Sequence, residues 1–281
     1  MTNLLLCVDM DRTLIPNGVQ AESPAAAEAF ARLAAHDAVT LAYVTGRSLV
    51  LVEQAIAEFS LPSPEFVIAD VGASLYQARQ AGWQNSEAWA SAMAAEWDSI
   101  EPGDIHHLLG VFHELVRQEE AKQQRYKLSY YLPHLSHPHS LLHEISARLL
   151  QGGIRANLVW SVDALAGRGL LDILPRNAGK LHAVRFLAKH LGMEQGSVVF
   201  AGDSGNDLEI FLSEVNSVLV ANADDEVRAQ IKDADPSHLY FAQGGLMGMN
   251  GNYRGGILEG VAHYCPQALA WCQAPQHVRG A

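Results

Sequence analysis

The chain has 281 residues, of which 49% are hydrophobic and 18% charged, so its composition argues against a disordered protein. At roughly 150 residues per domain, this length predicts one large or two ordinary domains. The 31 acidic and 19 basic residues give a net charge of −12, the wrong sign for binding nucleic acid or anionic lipid. The same acidity would repel anionic substrates, so phosphate chemistry would need local positive charge.

Cellular location is constrained by the hydrophobic runs and the cysteines. No run reaches the roughly 18 consecutive apolar residues of a membrane span. Cys7, Cys265 and Cys272 show neither a pairing framework nor CxxC spacing, and the first eight residues lack the basic end and long apolar stretch of a signal peptide. We therefore expect a soluble globular protein in the reducing cytoplasm.

The first third of the chain alternates apolar runs with helical stretches. Buried strands are predicted at Leu4 to Val8, Val39 to Val44 and Phe66 to Ala69. Ser23-Pro24 predicts a helix start, since a cap-type residue and a first-turn proline suit that position, and a second helical stretch ends at Phe59. This order predicts a parallel sheet wound with helices.

The pattern changes near Gln80. The elements predicted for the middle third are helices around Ser86 to Ile100 and His106 to Gln123, a strand at Tyr126 to Leu132, a helix near Leu141 to Leu150, and strands at Ala156 to Ser161 and Leu170 to Leu174. We interpret residues 81–176 as a smaller α/β domain inserted into a core made of residues 1–80 and 177–281.

The last third returns to the first pattern. A helix is predicted to start near Lys180, followed by a buried strand at Ser197 to Ala201 and, after another helix, a strand through Val218 to Val220. The glycine-rich stretch Gly244 to Gly256 predicts a mobile surface loop before a last helix at Ile257 to Tyr264.

Polar groups follow three of the predicted core strands, and ligands bind at the carboxyl ends of strands in an open parallel sheet. After the first strand, Asp9 and Asp11 could serve a metal and an acid, although an isolated DxD is more often a solvated turn. After the second, Thr45-Gly46-Arg47 offers donors for phosphate oxygens, with an ordinary strand-to-helix turn as the alternative.

The third strand end is Gly202-Asp203-Ser204-Gly205-Asn206-Asp207. Its carboxylates lie four residues apart among small residues, which suits an oxygen-rich site for a hard cation such as Mg²⁺. A helix cap is the alternative, but it does not explain the Asn206-Asp207 pair.

Together these strand ends resemble the haloacid dehalogenase superfamily over essentially the whole chain. Its nucleophile motif DxDxT matches Asp9 to Thr13, its phosphate-binding threonine matches Thr45, its lysine matches Lys180 and its metal motif GDSxND matches Gly202 to Asp207. The resemblance implies an α/β fold, with a Rossmann-like core on a parallel sheet and a smaller inserted α/β cap.

More narrowly, the chain is similar to the bacterial and plant sucrose-phosphate phosphatases. The matching segments are Leu4-Leu5-Leu6, Ala42 to Ser48, Lys127 to Tyr130, Leu174-Pro175, Gly256 to Glu259 and Ala262-His263. In that family a cap closes over the sugar, which agrees with the inserted domain. The chain departs from the family at Leu181, where many relatives have glycine, and in its long Gly244 to Gly255 loop.

The resemblance implies a phosphatase for a phosphorylated disaccharide, with sucrose 6-phosphate as the first candidate. Alternative substrates are mannosylfructose phosphate, mannosyl-3-phosphoglycerate and glucosylglycerol phosphate; a different function would be a non-catalytic partner of the synthase that makes the sugar phosphate. The expected partners are therefore a small sugar phosphate and a sugar-phosphate synthase, without nucleic acid or membrane, and we favour a monomer.

The same resemblance implies the residue roles. Asp9 attacks phosphorus to form an aspartyl phosphate, and Asp11 protonates the departing oxygen and then activates water. Thr45 and the Gly46 N–H hold phosphate oxygens, and Lys180 offsets charge.

A Mg²⁺ ion is the implied cofactor. The resemblance implies that Asp9, Asp203 and the main-chain carbonyl of Asp11 hold it, with Asp207 supporting these ligands. The implied further contacts are Arg47, Ser204 and Asn206.

Within the cap, the resemblance favours a substrate contact for Lys127, although a surface lysine is an equally ordinary interpretation. His134, His137 and His139 could be mistaken for a metal cluster, but Pro138 interrupts them and a solvated loop is expected. The three tryptophans Trp83, Trp89 and Trp97 indicate a packing face.

Overall fold

The computed structural model describes residues 3–133, 138–163 and 166–273. The strands are β1 (Leu4–Val8), β2 (Val39–Val44), β3 (Phe66–Ala69), β4 (Ser74–Arg79), β5 (Gly82–Asn85), β6 (Val116–Arg117), β7 (Leu128–Pro133), β8 (Ala156–Asp163), β9 (Arg168–Pro175), β10 (Val198–Gly202), β11 (Asn216–Leu219) and β12 (Leu239–Phe241). The helices are α1 (Ala26–Ala34), α2 (Leu49–Glu58), α3 (Glu87–Glu96), α4 (Pro102–Leu108), α5 (His139–Gln151), α6 (Lys180–His190), α7 (Leu208–Phe211), α8 (Asp225–Gln230), α9 (Arg254–Tyr264) and α10 (Ala268–Gln273).

The core is an eight-stranded sheet in the order β12-β11-β10-β1-β2-β3-β4-β5. Its first six strands are parallel, and β1 is buried along its whole length because helices cover both faces. Leu6 and Val8 pack on one face with α1, α9 and α10, while Leu5 and Cys7 pack on the other with α6 and α7. The prediction of an α/β core with a mostly parallel sheet is confirmed.

Three strands of this sheet, β4, β5 and β12, were absent from the sequence prediction. The chain turns back after β3, so that β4 and β5 extend the sheet in antiparallel fashion. Apart from the buried Leu75, the residues of these strands are half-buried or exposed, and the strands lack the continuous apolar run that marks the inner strands. Since β5 lies beyond residue 80, the chain leaves the core sheet only after Asn85; the division into domains stays a prediction.

The inserted segment forms a separate four-stranded antiparallel sheet in the order β6-β7-β9-β8. Its own apolar cluster joins Trp97, Ile105, Tyr130, Ile145 and Leu171. The helix predicted over His106 to Gln123 is wrong. The helix α4 begins at Pro102, which suits a first helical position, and ends at Leu108 before a turn and the short edge strand β6.

The glycine-rich stretch Gly244 to Gly256 is only partly on the surface. Gly251 is buried with a φ of 77°, and a Cβ there would lie 2.6 Å from the main-chain nitrogen of Gly244. Tyr253 is fully buried, and α9 begins at Arg254, three residues before the predicted start. Across the described ranges, no helix has both the length and the apolar character needed to cross a bilayer.

Candidate active site

The adjacent strands β10, β1 and β2 end at one edge of the core sheet, and the three predicted polar segments meet there. Asp9 and Asp11 follow β1, Thr45 to Arg47 follow β2, and Asp203 follows β10. The sheet order therefore brings together segments that are up to 194 positions apart in the sequence, as the span from Asp9 to Asp203 shows.

A buried lysine lies at the centre of this edge. The Lys180 ammonium donates to Asp9 Oδ1 at 2.7 Å, Asp207 Oδ1 at 2.7 Å and Asn206 Oδ1 at 2.8 Å. Lys180 is the first residue of α6, so the helix start fixes where its side chain enters the site. Three acceptors satisfy its three N–H donors, which explains how the side chain can be 2% exposed and remain charged.

Asp9, Asp203 and Asp207 form a buried carboxylate cluster, with oxygens within 4.8 Å of one another. Burial raises the pKa of Asp9 to about 7 against the opposing charge of Lys180. The pKa of Asp203 is also raised, first by burial and then by repulsion from Asp9 and Asp207. The cluster thus holds more negative charge than the neighbouring cations neutralise.

This donor set fits a hard divalent cation. All the donors are carboxylate oxygens, the ligand type that Mg²⁺ prefers, and a cation there would relieve the repulsion that raises the two pKa values. The Asp11 carboxylate lies outside the cluster, while the resemblance implies its main-chain carbonyl as the ligand. The residues therefore support a metal site.

Asp207 also caps the turn that follows β10. Its Oδ2 accepts from the N–H groups of Asp203 and Ser204, each at 3.2 Å, while Oδ1 accepts from Lys180. The helix-cap alternative therefore describes the fold of this turn. The Asp207 carboxylate can cap the turn and bind Lys180 at the same time because its two oxygens face different partners.

Arg47 binds Asp11 in a bidentate ion pair. Arg47 Nε and Nη2 donate to Asp11 Oδ2 and Oδ1 at 2.8 and 2.7 Å, and Asn17 donates to the same carboxylate at 2.8 Å. Burial raises the pKa of Asp11, but the Arg47 and Asn17 bonds outweigh it and leave the pKa below its ordinary value. Asp11 is therefore held as a carboxylate.

The β2 loop, defined as Thr45, Gly46 and Arg47, is held by main-chain bonds. The N–H groups of Val71 and Asp70 donate to the carbonyls of Thr45 and Arg47, each at 3.0 Å. Asp70 and Val71 have φ values of 54° and 58°, a left-handed conformation that is costly for a β-branched residue such as valine. The strained turn after β3 thus fixes the loop.

Lys127 reaches this loop from the cap. Its ammonium donates to the Gly46 carbonyl at 3.0 Å, and the residue is 5% exposed although it also lines the cavity above the site. The alternative of an ordinary surface lysine is wrong, because this side chain is buried where the cap meets the core, while the favoured substrate contact stays a prediction.

Several functional neighbours carried no assigned role in the sequence prediction. Thr13 donates to Asp203 Oδ1 at 3.0 Å, and Arg12 pairs with both oxygens of Asp224 at 2.8 Å, with its Nε 3.5 Å from Asp203. Thr13 belongs to the DxDxT motif, so that motif was a sufficient signal. The Arg12–Asp224 pair joins residues 212 positions apart, which no local pattern indicates.

A cavity of about 760 Å³ lies between the carboxylate edge of the core and the cap sheet. The cap residues that line it are Gln118, Lys122, Lys127, Tyr131, Trp160, Ser161, Val162, Asp163, Gly167, Arg168, Leu170 and Asp172. The Arg168 guanidinium stacks on the Tyr131 ring at 3.7 Å. The cap thus presents aromatic and charged groups above the core cluster.

The remaining predicted residues lie elsewhere. Trp89 and Trp97 are buried and donate to the main-chain carbonyls of Gly72 and Arg155, so they pack as expected. His134 and His137 lie outside the described residues.

Comparison with known proteins gives the family. The model of the sucrose-6F-phosphate phosphohydrolase family matches residues 2–265. The chain belongs to this family. It is 46% identical over 274 residues to a protein of Nitrosococcus oceani described as a HAD-like hydrolase, covering 96% of this chain and 74% of that protein. Members of this family are phosphohydrolases, so the chain is an enzyme of that class.

Two further relatives extend the similarity within the sucrose-6F-phosphate phosphohydrolases. Sucrose-phosphatase 1 of Nicotiana tabacum is 28% identical over 80% of this chain, which spans 50% of that protein's length. The structure of the sucrose-phosphatase from Synechocystis, in complex with sucrose and phosphate, is 26% identical with a TM-score of 0.76, covering 94% of this chain and 98% of that one. The fold prediction of a haloacid dehalogenase core with a cap is confirmed.

Proposed function

We propose that this chain is a Mg²⁺-dependent phosphatase for a phosphorylated disaccharide, with sucrose 6-phosphate as the first candidate substrate. The observation that carries the proposal is the Asp9–Lys180 pair at the base of a cavity of about 760 Å³. Cavities of roughly 300–1,000 Å³ accommodate small organic ligands. Family membership and the similarity to the Synechocystis protein support the choice of sugar.

Asp9 is the nucleophile. Lys180 engages its Oδ1, so Oδ2 is the oxygen that attacks phosphorus. A bond forms between Asp9 and phosphorus while the bond from phosphorus to the sugar oxygen breaks, which leaves an aspartyl phosphate. The Lys180 ammonium offsets negative charge on the transferring group, and it does so strongly because the site is buried.

Asp11 acts first as a general acid and then as a general base. Once released from Arg47, it takes a proton from solvent and gives it to the departing sugar oxygen. As a carboxylate it then takes a proton from the water whose oxygen bonds to phosphorus while the bond between Asp9 and phosphorus breaks. Arg47 now holds Asp11 ionised, so the substrate phosphate must compete with Asp11 for this guanidinium before Asp11 can act as an acid. Arg47 thereby connects phosphate binding to the protonation of Asp11.

The remaining polar groups bind the phosphate. Asp9, Asp203 and the main-chain carbonyl of Asp11 would hold Mg²⁺, with Asp207 supporting these ligands, and the ion when bound would supply positive charge against the phosphate oxygens. The Thr45 hydroxyl and the Gly46 N–H donate to phosphate oxygens. The Asn206 side-chain oxygen accepts from the Lys180 ammonium and from the Ser204 hydroxyl, so Asn206 and Ser204 together orient the lysine.

The sugar lies against the cap. Tyr131, Trp160, Asp163 and Arg168 present aromatic faces and planar charged groups to the cavity, a mixture that suits the apolar faces and hydroxyls of a sugar. We propose residues 81–176 as the specificity domain and residues 1–80 and 177–281 as the core. A synthase that joins two sugars and leaves phosphate on one of them must supply the substrate.

A phosphate-release assay tests this function. The panel contains sucrose 6-phosphate, mannosylfructose phosphate, glucosylglycerol phosphate, mannosyl-3-phosphoglycerate and p-nitrophenyl phosphate, each with Mg²⁺ and with a chelator. We expect the largest kcat/KM for sucrose 6-phosphate and loss of release with the chelator. A larger kcat/KM for another glycosyl phosphate would make that ester the preferred substrate in place of sucrose 6-phosphate. No release from any ester would favour a non-catalytic partner.

A further inference from the structure

Lys127 belongs to the cap by sequence but to the core's phosphate site by contact. It immediately precedes β7 of the cap sheet, and its ammonium donates to the Gly46 carbonyl, 81 positions earlier in the chain. With only 5% of its surface exposed, it has little area left for a sugar. The contact therefore raises the question of what this lysine does for the β2 loop.

The three carbonyls of the β2 loop have different kinds of partner. Core main-chain N–H groups of Val71 and Asp70 hold the carbonyls of Thr45 and Arg47. The middle carbonyl, that of Gly46, accepts from the Lys127 side chain at 3.0 Å. The core thus fixes the two ends of the loop, and the cap supplies the bond to its centre.

The bond to Gly46 orients a peptide that faces the phosphate site. The Gly46 carbonyl and the Arg47 N–H belong to one rigid peptide plane and point in opposite directions. At the far end of this plane the Arg47 N–H donates to Thr45 Oγ1 at 3.2 Å. Since this N–H occupies an acceptor position on the hydroxyl, the hydroxyl proton remains available for a phosphate oxygen.

Lys127 also acts through its charge on a buried acid of the core. The Asp70 carboxylate is 3% exposed; burial raises its pKa, and the Lys127 charge acts in the opposite direction. Asp172 of the cap also acts on Asp70 through its charge, and Ser129 beside Lys127 donates to Asp172. The buried acid Asp70 of the core is therefore under the charge of two cap residues, Lys127 and Asp172.

We propose that Lys127 is a positioning residue for phosphate, acting through the Gly46–Arg47 peptide on the Thr45 hydroxyl. This inference rests on the proposed phosphatase function. The phosphate site is then complete only when the cap packs on the core, because the hydrogen bond to the Gly46 carbonyl, at the centre of the β2 loop, comes from a cap residue. This role also replaces the direct substrate contact predicted for this lysine from the sequence.

Phosphate probes without a sugar separate positioning from sugar binding. We would measure kcat/KM for p-nitrophenyl phosphate and the inhibition constant of inorganic phosphate, together with KM and kcat for the best sugar phosphate of the panel. The variants are Lys127→Met, which removes the donor, and Lys127→Arg, which keeps a cation and N–H donors. Lys189→Met removes the same charge from the exposed end of α6 as a matched control.

For Lys127→Met we expect kcat/KM for p-nitrophenyl phosphate to fall about tenfold and the inhibition constant of phosphate to rise by a similar factor, the size of one hydrogen bond to a charged group. Lys127→Arg should recover part of the lost kcat/KM and part of the lost phosphate affinity, and Lys189→Met should match the wild type. Should Lys127→Met fail to fold, Lys127→Leu makes the same comparison, because its side chain is also neutral and carries no hydrogen-bond donor.

Three results would overturn the inference. One is a loss confined to the sugar phosphate with both sugar-free probes unchanged, which would make Lys127 a sugar contact. Another is unchanged kinetics throughout, and the third is an equal loss in Lys189→Met. Failure of the proposed function looks different, because the wild type itself would then release no phosphate from any ester.

Discussion

The core side and the cap side of the cavity hold their polar groups in different ways. On the core side, Lys180 is 2% exposed and makes three bonds of 2.7 to 2.8 Å to acidic and amide oxygens. On the cap side, the Arg168 side chain is 40% exposed, stacks on Tyr131 and lies 3.8 Å from Asp163. Lys180 is thus fixed by burial and by its three partners, whereas the Arg168–Asp163 pair of the cap is partly exposed to solvent.

This difference separates chemistry from selectivity. Charges fixed in a buried site stabilise a transition state strongly because no reorganisation is needed when the reaction occurs. Half-exposed charges contribute less, since water screens them, but they can distinguish one sugar from another. We therefore expect substitutions of the buried core groups to abolish activity on every ester, and substitutions of the half-exposed cap groups such as Arg168 to change which ester is preferred.

Asp9→Asn gives the largest expected effect. The amide cannot form the aspartyl phosphate, so phosphate release should fall by about 10⁴-fold or more on every substrate of the panel. The circular dichroism spectrum should stay unchanged, because the amide has nearly the same shape. Asp233→Asn, in an exposed turn, is the control. Residual turnover near the wild-type rate would remove Asp9 from the nucleophile role.

Lys180→Met tests how strongly the core site depends on one buried charge. Its loss leaves Asp9 and Asp207 without their shared cation, so the free energy of unfolding should fall by about 3 kcal/mol. Urea denaturation measures this change, and Lys189→Met should shift the value by less than about 0.5 kcal/mol. Equal stability of the two variants would mean that the acid cluster does not need the lysine.

Mg²⁺ should stabilise the metal-free protein through the same cluster. At a concentration of about 100 times its dissociation constant, the ion should add about 2.7 kcal/mol to the free energy of unfolding. Asp203→Asn should lose most of this gain, while Asp233→Asn should keep it. Urea denaturation with and without the ion tests this, and a gain of equal size in Asp203→Asn would place the metal elsewhere.

Arg168→Met should give the smallest and most selective effect. We expect KM for the preferred sugar phosphate to rise about tenfold, with kcat/KM for p-nitrophenyl phosphate within about twofold of the wild type. Arg117→Met, on the exposed edge strand β6, is the matched control in the cap. Equal losses on both substrates would erase the proposed separation between the two sides of the cavity.

The sequence prediction was most accurate where one local pattern decides the structure. The buried runs that became β1, β2 and β3 have the predicted bounds, because helices cover both faces of those strands and every position is apolar or small. The strands β4, β5, β6 and β12 were missed because they lie at or next to a sheet edge, where most positions are half-buried or exposed and the apolar run is short or absent.

The candidate site shows the same division. Asp9, Asp203 and Lys180 stand next to strand ends or a helix start, so the motifs locate them without knowledge of the fold. Lys127 has no such context, and a lysine on a strand is ordinary in any sequence. Its partner, the Gly46 carbonyl, is a main-chain atom that no sequence pattern identifies.

By itself, the sequence determined the inner core strands β1, β2, β3, β10 and β11, the helices between them and the polar groups that follow β1, β2 and β10, because apolar periodicity and motif spacing are local properties. Only the tertiary structure decided that Arg47 holds Asp11, that Arg12 pairs with Asp224, and that a cap lysine completes the β2 loop. These contacts join distant segments whose approach depends on how the cap packs on the core. Burial then sets the strength of these contacts. Where water is excluded, an opposite charge attracts most strongly and an unpaired charge costs the most free energy.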